Sequence, residues 1–504
     1  MFSDLCERAE QHRKDAVDAL DASTRSRLGQ YFTPLQAATL LTSLPRIPQS
    51  GSIRILDAGA GSGALTAAFV ARVIREAPQL KLEIVAVEMD HHAVPFLELT
   101  LLDCKTIAAA NGVAIATEVV LGDFIELSTD LLSPHRARLH GFDFVILNPP
   151  YRKLAASSSH RKAVAAEGAD CPNLYAAFLT LGAQALVDGG QLVAITPRSF
   201  ANGTYFRQFR KFFLNCVALD QVHLFESRSS IFGDAGVLQE NVIISTTRGT
   251  SPKQVTISNS VAHTDTPTSR VAEYSEIVHP KDPDYVVHLS VEHDDAELAR
   301  QMTARLGVLG NLDVSVSTGK VVDFRMKTHL RENPTDTCAP LVYPGNARSG
   351  EIEWPRAIRK PQNLHVDDHS RALLLPRGHY VLVKRFSSKE ERRRIVAAVW
   401  DPSVYTQPFV AFENHLNVFH ANNHGLDRLL AIGLCIWLNS SIVDRLFRIF
   451  SGHTQVNAGD LRGLPFPSVS ELKELGGDKT EKRPPQELID TLVAQVLAPK
   501  GMAS

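Results

Sequence analysis

The chain has 504 residues, 44% hydrophobic, 21% charged and 7% aromatic, with a formal net charge of −2. That is the composition of a soluble globular protein of about two to four domains, and it excludes wholesale disorder. No run of about 18 apolar residues predicts a membrane span, and the charged opening "MFSDLCERAEQHRKDAVDAL" lacks a signal-peptide core.

In chain order, residues up to about 250 repeat a strand-then-helix rhythm. "IRILDAGAG" from Ile53 is a strand running into a glycine turn, and "ALTAAFVARVIREA" is a helix. "KLEIVAVEMD" and "EVVLGDFIEL" are strands with acidic ends, and "FDFVILNPPY" is a fourth. "NLYAAFLTLGAQALVDGG" is a helix stopped by glycines, followed by the strand "QLVAITP". "CVALDQVHLF" and "LQENVIIST" close the series as an antiparallel hairpin. The strands are near-continuous apolar runs, as in a sheet covered by helices on both faces. This is a doubly wound α/β pattern of seven strands. From about 250 to 290 the chain turns polar and reads as irregular strands and loops. "DDAELARQMTARLGVLG" is a short helix, and the rest to about 467 is β-rich and irregular. A polar linker, "ELGGDKTEKRPP", precedes a last helix. The expected division is 1–250, 251–470 and 471–504.

The chemistry gathers at the carboxyl ends of the first four strands. Gly59, Gly61 and Gly63 in "LDAGAGSGA" allow close approach of backbone to a ligand. Gly59, Gly61 and Ala64 also satisfy the dinucleotide pattern G-x-G-x-x-A, so a nicotinamide enzyme is a rival. Glu88 ends the second strand and can accept both ribose hydroxyls of an adenosine-containing cofactor. Asp123 can accept from an adenine amine and Phe124 can pack on the ring. The fourth strand ends in Asn148-Pro149-Pro150-Tyr151. A planar exocyclic amine is a poor nucleophile because its lone pair is delocalised into the ring. Two acceptors aimed at its hydrogens, the Asn148 amide oxygen and the Pro149 carbonyl, favour the tetrahedral form. Tyr151 offers a stacking face. A dehydrogenase has no use for this tetrapeptide.

The order "GQYFTP", "LDAGAGSGA", "VEMD", "GDF", "NPPY" resembles the gamma-type N6-adenine DNA methyltransferases. The resemblance implies S-adenosylmethionine as cofactor, a Rossmann-like methyltransferase sheet, an extruded adenine as target and no covalent enzyme intermediate. It places Tyr31, Phe32, Thr33 and Pro34 at the methionine end of the cofactor, with Thr33 on the carboxylate. Asp57, Gly59, Gly61, Glu88, Asp123 and Phe124 complete the implied cofactor set. Asn173 and Tyr175 either help close that pocket or cap and pack a helix. "SRSSIFGDAGVLQENVII", "ENHLNVFH" and "SGHTQVNAGDLRGLPFP" resemble stand-alone type II modification methylases, including the XhoI and PaeR7I group, with a C-terminal target-recognition domain. The implied partners are double-stranded DNA and a separate cognate restriction endonuclease, with a monomeric enzyme. One departure stands out: "NVIISTTR" has no second aromatic for the extruded base; Phe232 or Phe225 is a candidate substitute, and the sequence assigns the role to neither. Rival targets are a glutamine side chain or RNA. A cytosine-N4 enzyme would more often carry Ser at position 148, and a DNA-binding protein without catalysis is the rival from another class.

The second half must grip and read DNA. Residues 340–465 carry 16 Lys and Arg against 11 Asp and Glu, a surplus of five that suits phosphate contact. Its densest part holds Lys384, Arg385 and Arg392 to Arg394. Candidate base readers are Asn346, Arg348, Asn414, His415, Asn417, Gln455 and Asn457. His415, His420, His424 and His453 match no zinc spacing, so no metal is expected. The six scattered cysteines suggest reduced thiols in a cytoplasmic protein.

Overall fold

The computed structural model describes residues 2–19, 32–225, 241–251, 253–260, 267–279, 282, 284–289, 293–387, 392–450, 455–477 and 484–498. The chain divides into two compact units, Met1–Val291 and Glu292–Ser504. The boundary expected at residue 250 therefore falls inside the first unit.

The first unit is built on one nine-stranded sheet. Its strands are β1 (Ser50–Ala58), β2 (Gln79–Glu88), β3 (Ala114–Leu121), β4 (Phe142–Leu147), β5 (Leu186–Pro197), β6 (Val217–Phe225), β7 (Asn241–Arg248), β8 (Gln254–Ser260) and β9 (Thr268–Glu273). Their spatial order is β3-β2-β1-β4-β5-β7-β6-β8-β9. The first five are parallel, and β7 lies antiparallel between β5 and β6. The order reverses direction between β1 and β4, which opens a crevice at their carboxyl ends.

Alternation along the strands explains why both faces read as apolar. Ile53, Ile55, Phe144, Ile146, Val193 and Ile195 join one buried cluster, with the helices Phe2–Ala19, Leu35–Ser43, Ala64–Glu76 and Val94–Ala110. Leu56, Ala58, Val145, Leu147, Leu192 and Ala194 join another, with the helices Leu174–Ala185 and Arg207–Cys216. Each strand thus feeds two cores, a pattern that only a doubly covered sheet needs.

Strands β8 and β9 raise the expected seven strands to nine. In β8 only Val255, Ile257 and Ser260 are buried, and in β9 only Ala272. With one face partly open, their sequences carry enough Ser, Thr and Asn to read as loop.

The second unit holds two five-stranded sheets. One runs Ser315–Thr318, Leu416–His420, Tyr380–Lys384, Ala397–Trp400, Gly350–Glu351. The other runs Leu330–Arg331, Asn363–His365, Cys338–Val342, Phe409–Phe412, Leu375–Pro376. The helix Arg428–Leu438 packs under the first sheet and against the helix Val469–Leu475. The last helix, Gln486–Leu497, sends Ile489, Val493 and Val496 into the same core. It is part of this unit rather than an appendage at 471–504.

Candidate active site

The glycine turn after β1 is held open by backbone. Gly59, Gly61 and Gly63 have φ of 77°, 56° and 83°, a left-handed region that side chains other than glycine rarely adopt. The Gly59 and Ala60 amides donate to the Val87 carbonyl at 2.8 and 3.0 Å, which ties the turn to β2. A Cβ at Gly61 would lie 3.0 Å from the Phe32 ring. The glycine leaves room there for ring and ligand together.

Glu88 is 4% exposed. One carboxylate oxygen accepts from the Gly61 amide and the other from the Asp90 amide, both at 2.8 Å. Burial pushes this carboxyl above its usual range, opposed by those amides. Each oxygen keeps a second lone pair for a ribose hydroxyl. Asp123 caps the helix Phe124–Thr129: its Oδ1 accepts from Ile125 at 2.8 Å and Glu126 at 3.3 Å. Its Oδ2 faces His160 Nε2 at 3.4 Å. The Phe124 and Phe178 rings meet at 5.1 Å.

At the end of β4, the Asn148 amide nitrogen donates to the Thr33 hydroxyl at 2.9 Å. The amide oxygen lies 3.4 Å from the Tyr151 hydroxyl. Tyr151 is half-buried between the two sheet cores and meets Tyr175 edge-on at 6.2 Å. Pro149 is buried and Pro150 half-buried, so the turn is anchored in the protein.

Most of these groups line one cavity, with about 1010 Å³ of empty space counted out to its open side. Its wall includes Thr33, Gly59, Gly61, Glu88, Asp123, Phe124 and Asn148, seven residues expected from sequence. Asp57, Pro149 and Tyr151 are not in the wall. Asp57 is buried beneath the glycine turn, with Oδ2 accepting from the Thr66 hydroxyl at 2.6 Å and Oδ1 without a hydrogen-bond partner. Burial pushes its pKa up to about 7. It lies outside the cavity wall and ties the turn to the following helix through Thr66. The cavity fits an adenosine group: Glu88 and Asp123 line it, the Phe124 and Phe178 rings offer apolar faces, and the glycine turn lies in the left-handed region.

Thr33, expected on the cofactor carboxylate, lines the cavity and accepts from the Asn148 amide nitrogen. Asn173 accepts from the Ala176 amide at the head of its helix, and Tyr175 is 2% exposed with its hydroxyl 3.0 Å from the Ser199 hydroxyl. Capping and packing therefore describe both. Phe225 is buried on the core side of β6 and cannot stack on an extruded base. Phe232 and Tyr31 lie outside the described residues. Cys171 is fully buried, its thiol pushed up to about 12, which suits no nucleophile. Sequence reasoning missed Arg152, His160 and Phe178 in the wall. Arg152 follows the tetrapeptide directly, a signal that was available. His160 comes from a polar stretch with no pattern.

In the second unit the recognition candidates separate into two groups. Arg385 donates to the Asn414 carbonyl at 2.8 Å and the Gln455 side chain at 3.3 Å. The exposed His415 ring lies 5.1 Å from that of Phe386 and 2.6 Å from the buried Glu413 carboxylate. Arg385, Asn414, His415 and Gln455 are thus brought together. Lys384 ends the neighbouring strand, and Arg392 and Arg348 are exposed, the latter 3.4 Å from Glu353. Several others are structural. Asn346 and Asn417 are fully buried and hold backbone groups. Arg394 is buried over Phe447, and Arg393 donates to the Ser440 carbonyl. Asn457 caps a helix. Much of the positive surplus is therefore spent inside the unit. His420 and His424 bond to different partners, Ser317 and the Asn422 carbonyl; His453 lies outside the described residues.

Comparison with known proteins is consistent with this geometry. Residues 118–232 match the Eco57I restriction-modification methylase family. The chain is 41% identical over 460 residues to the type II methyltransferase M.BsuBI of Bacillus subtilis, covering 90% of each chain. It is 38% identical over 490 residues to the type II methyltransferase M.PstI of Providencia stuartii, covering 96% of each. The fold is also that of the type IIL restriction-modification enzyme MmeI, solved in complex with DNA (TM-score 0.54, 12% identity, all of this chain and 75% of that one). With identity of this level across nearly its whole length, the chain belongs to the type II methyltransferases of restriction-modification systems, which methylate DNA with S-adenosylmethionine.

Proposed function

We propose that the methyl acceptor is the exocyclic N6 of an adenine extruded from duplex DNA, and that the modification protects host DNA from a separate cognate endonuclease. The observation that carries this reading is the Asn148 amide, held by Thr33 through its nitrogen so that its oxygen is the acceptor. An N6 amine presents two hydrogens. The Asn148 oxygen takes one and the Pro149 carbonyl the other. As the nitrogen bonds to the methyl and the sulfur takes back its electron pair, positive charge grows on the nitrogen, so its hydrogens become more acidic and these bonds strengthen. The stabilisation is therefore larger in the transition state than in the ground state. Tyr151 supplies the face against which the base lies flat.

S-adenosylmethionine, when bound, supplies an electrophilic methyl group on a sulfonium. Around it, Glu88 would hold the ribose, Asp123 the adenine amine, and Phe124 with Phe178 the ring. The glycine turn admits the tail. No side chain need form a covalent bond, in keeping with the buried Cys171.

In the second unit, Arg385, Asn414, His415 and Gln455 form the side-chain group we assign to DNA, with Lys384, Arg392 and Arg348 as phosphate contacts. Bidentate amide or guanidinium pairing to base edges is the chemistry they offer.

The test is Asn148→Ala. Loss of one preorganised polar contact should lower kcat by about 10²–10³-fold. Binding of S-adenosylhomocysteine should be retained, because Glu88, Asp123 and the glycine turn in the same wall are unchanged. A variant with full kcat would remove Asn148 from the reaction.

A further inference from the structure

Among the described residues of the first unit, one large aromatic side chain is exposed: Tyr205, at 83%. It sits in the segment that leaves the carboxyl end of β5, and β5 pairs with β4 through Leu147 and Ala194. The segment is therefore next to the Asn148–Tyr151 turn along the sheet edge. Ring contacts make the link concrete. Phe206, the neighbour of Tyr205, is buried and stacked on Tyr175 at 5.5 Å, and Tyr175 meets Tyr151 edge-on at 6.2 Å.

The segment is also fixed. Arg210 is 1% exposed, and its guanidinium donates to the carbonyls of Phe200 at 3.0 Å, Gly203 at 2.7 Å and Asp284 at 3.0 Å. The Val287 amide donates to the Ala201 carbonyl at 2.8 Å. Burying a cation to bind three carbonyls is costly, and only an ordered backbone results from it. That order presents Tyr205 to solvent at the edge where the reacting base must arrive. A backbone held in this way loses little entropy when the side chain it carries stacks.

We propose that Tyr205 is a DNA contact, its ring stacking on a nucleobase beside the extruded one. This rests on the reading of the enzyme as a base-extruding DNA methyltransferase. Extrusion breaks two stacking contacts in the duplex, and an aromatic or apolar side chain at the gap restores part of them. The ring, not the hydroxyl, carries the effect.

The experiment compares wild type with Tyr205→Ala, Tyr205→Phe and Tyr205→Trp. Three readouts are taken: S-adenosylhomocysteine affinity by calorimetry, affinity for duplex containing the recognition sequence, and the fluorescence rise of 2-aminopurine placed at the target position. All variants should bind S-adenosylhomocysteine as wild type does. Tyr205→Ala should lose about tenfold in DNA affinity or in the extruded fraction, while Phe and Trp stay within about twofold. An abasic target, which needs no extrusion, should narrow the gap between Tyr205→Ala and wild type. Wild-type behaviour of the Ala variant on DNA would overturn the proposal, and so would a Phe variant as weak as Ala. Loss of S-adenosylhomocysteine binding in Tyr205→Ala would reassign the residue to the fold. If wild type itself gives no rise in 2-aminopurine fluorescence, the underlying reading of base extrusion fails instead.

Discussion

At the scale of single residues, the site joins a group we assign to the acceptor base to the group that holds it. Asn148 and Thr33 are that pair. The tetrapeptide was legible because its chemistry is local: an amide and a proline-locked carbonyl are next to each other in sequence. The partner of that amide was not, because Thr33 is 115 positions away and only folding joins them. Asp57 is the other lesson. Its place in the glycine turn suggested ligand contact, yet it is buried with one oxygen unpaired. Its folded pKa of about 7 exceeds the ordinary value of 3.8. A raised carboxyl stabilises the fold fully below the unfolded pKa, and that stability is lost as pH rises through the folded one. Relative to Asp57→Asn, the wild type should thus lose stability between about pH 4 and about pH 7, by at most about 4 kcal/mol. Urea denaturation followed by far-ultraviolet circular dichroism measures it. A pH-independent difference between the two proteins would contradict the assignment.

At the scale of elements, the sheet's parallel half was legible and its far edge was not. Strands β1, β2, β4 and β5 are buried on both faces, so their sequences are continuous apolar runs. Strands β8 and β9 are mostly polar because little of them is buried. In the second unit, short strands at sheet edges gave no period long enough to read, and glycines carried hidden constraints. Gly433, in the helix Arg428–Leu438, lies directly against the Leu472 carbonyl, and a Cβ there would overlap it. Gly476 stands in the same relation to the Leu429 carbonyl. The two helices approach backbone to backbone. Gly433→Ala should therefore destabilise this unit by about 3 kcal/mol or more, as overpacking of a close contact does. All three tryptophans, Trp354, Trp400 and Trp437, belong to this unit. Tryptophan fluorescence during urea unfolding isolates its transition, and an unshifted midpoint would show that the helices can separate at little cost.

At the scale of the whole molecule, the chain combines the sheet of a methyltransferase with a second unit whose part-buried Arg385, Asn414 and Gln455 and exposed His415 we assign to DNA. Family membership rests on identity along nearly the full length with M.BsuBI and M.PstI. The choice of base rests on the Asn148 turn. The most direct measurement is the identity of the methylated base. Purified enzyme, labelled S-adenosylmethionine and mixed-sequence duplex DNA are incubated, and the DNA is hydrolysed to nucleosides and separated. All label should appear in N6-methyldeoxyadenosine; label in N4-methyldeoxycytidine, or in RNA or protein with none in DNA, would contradict the assignment.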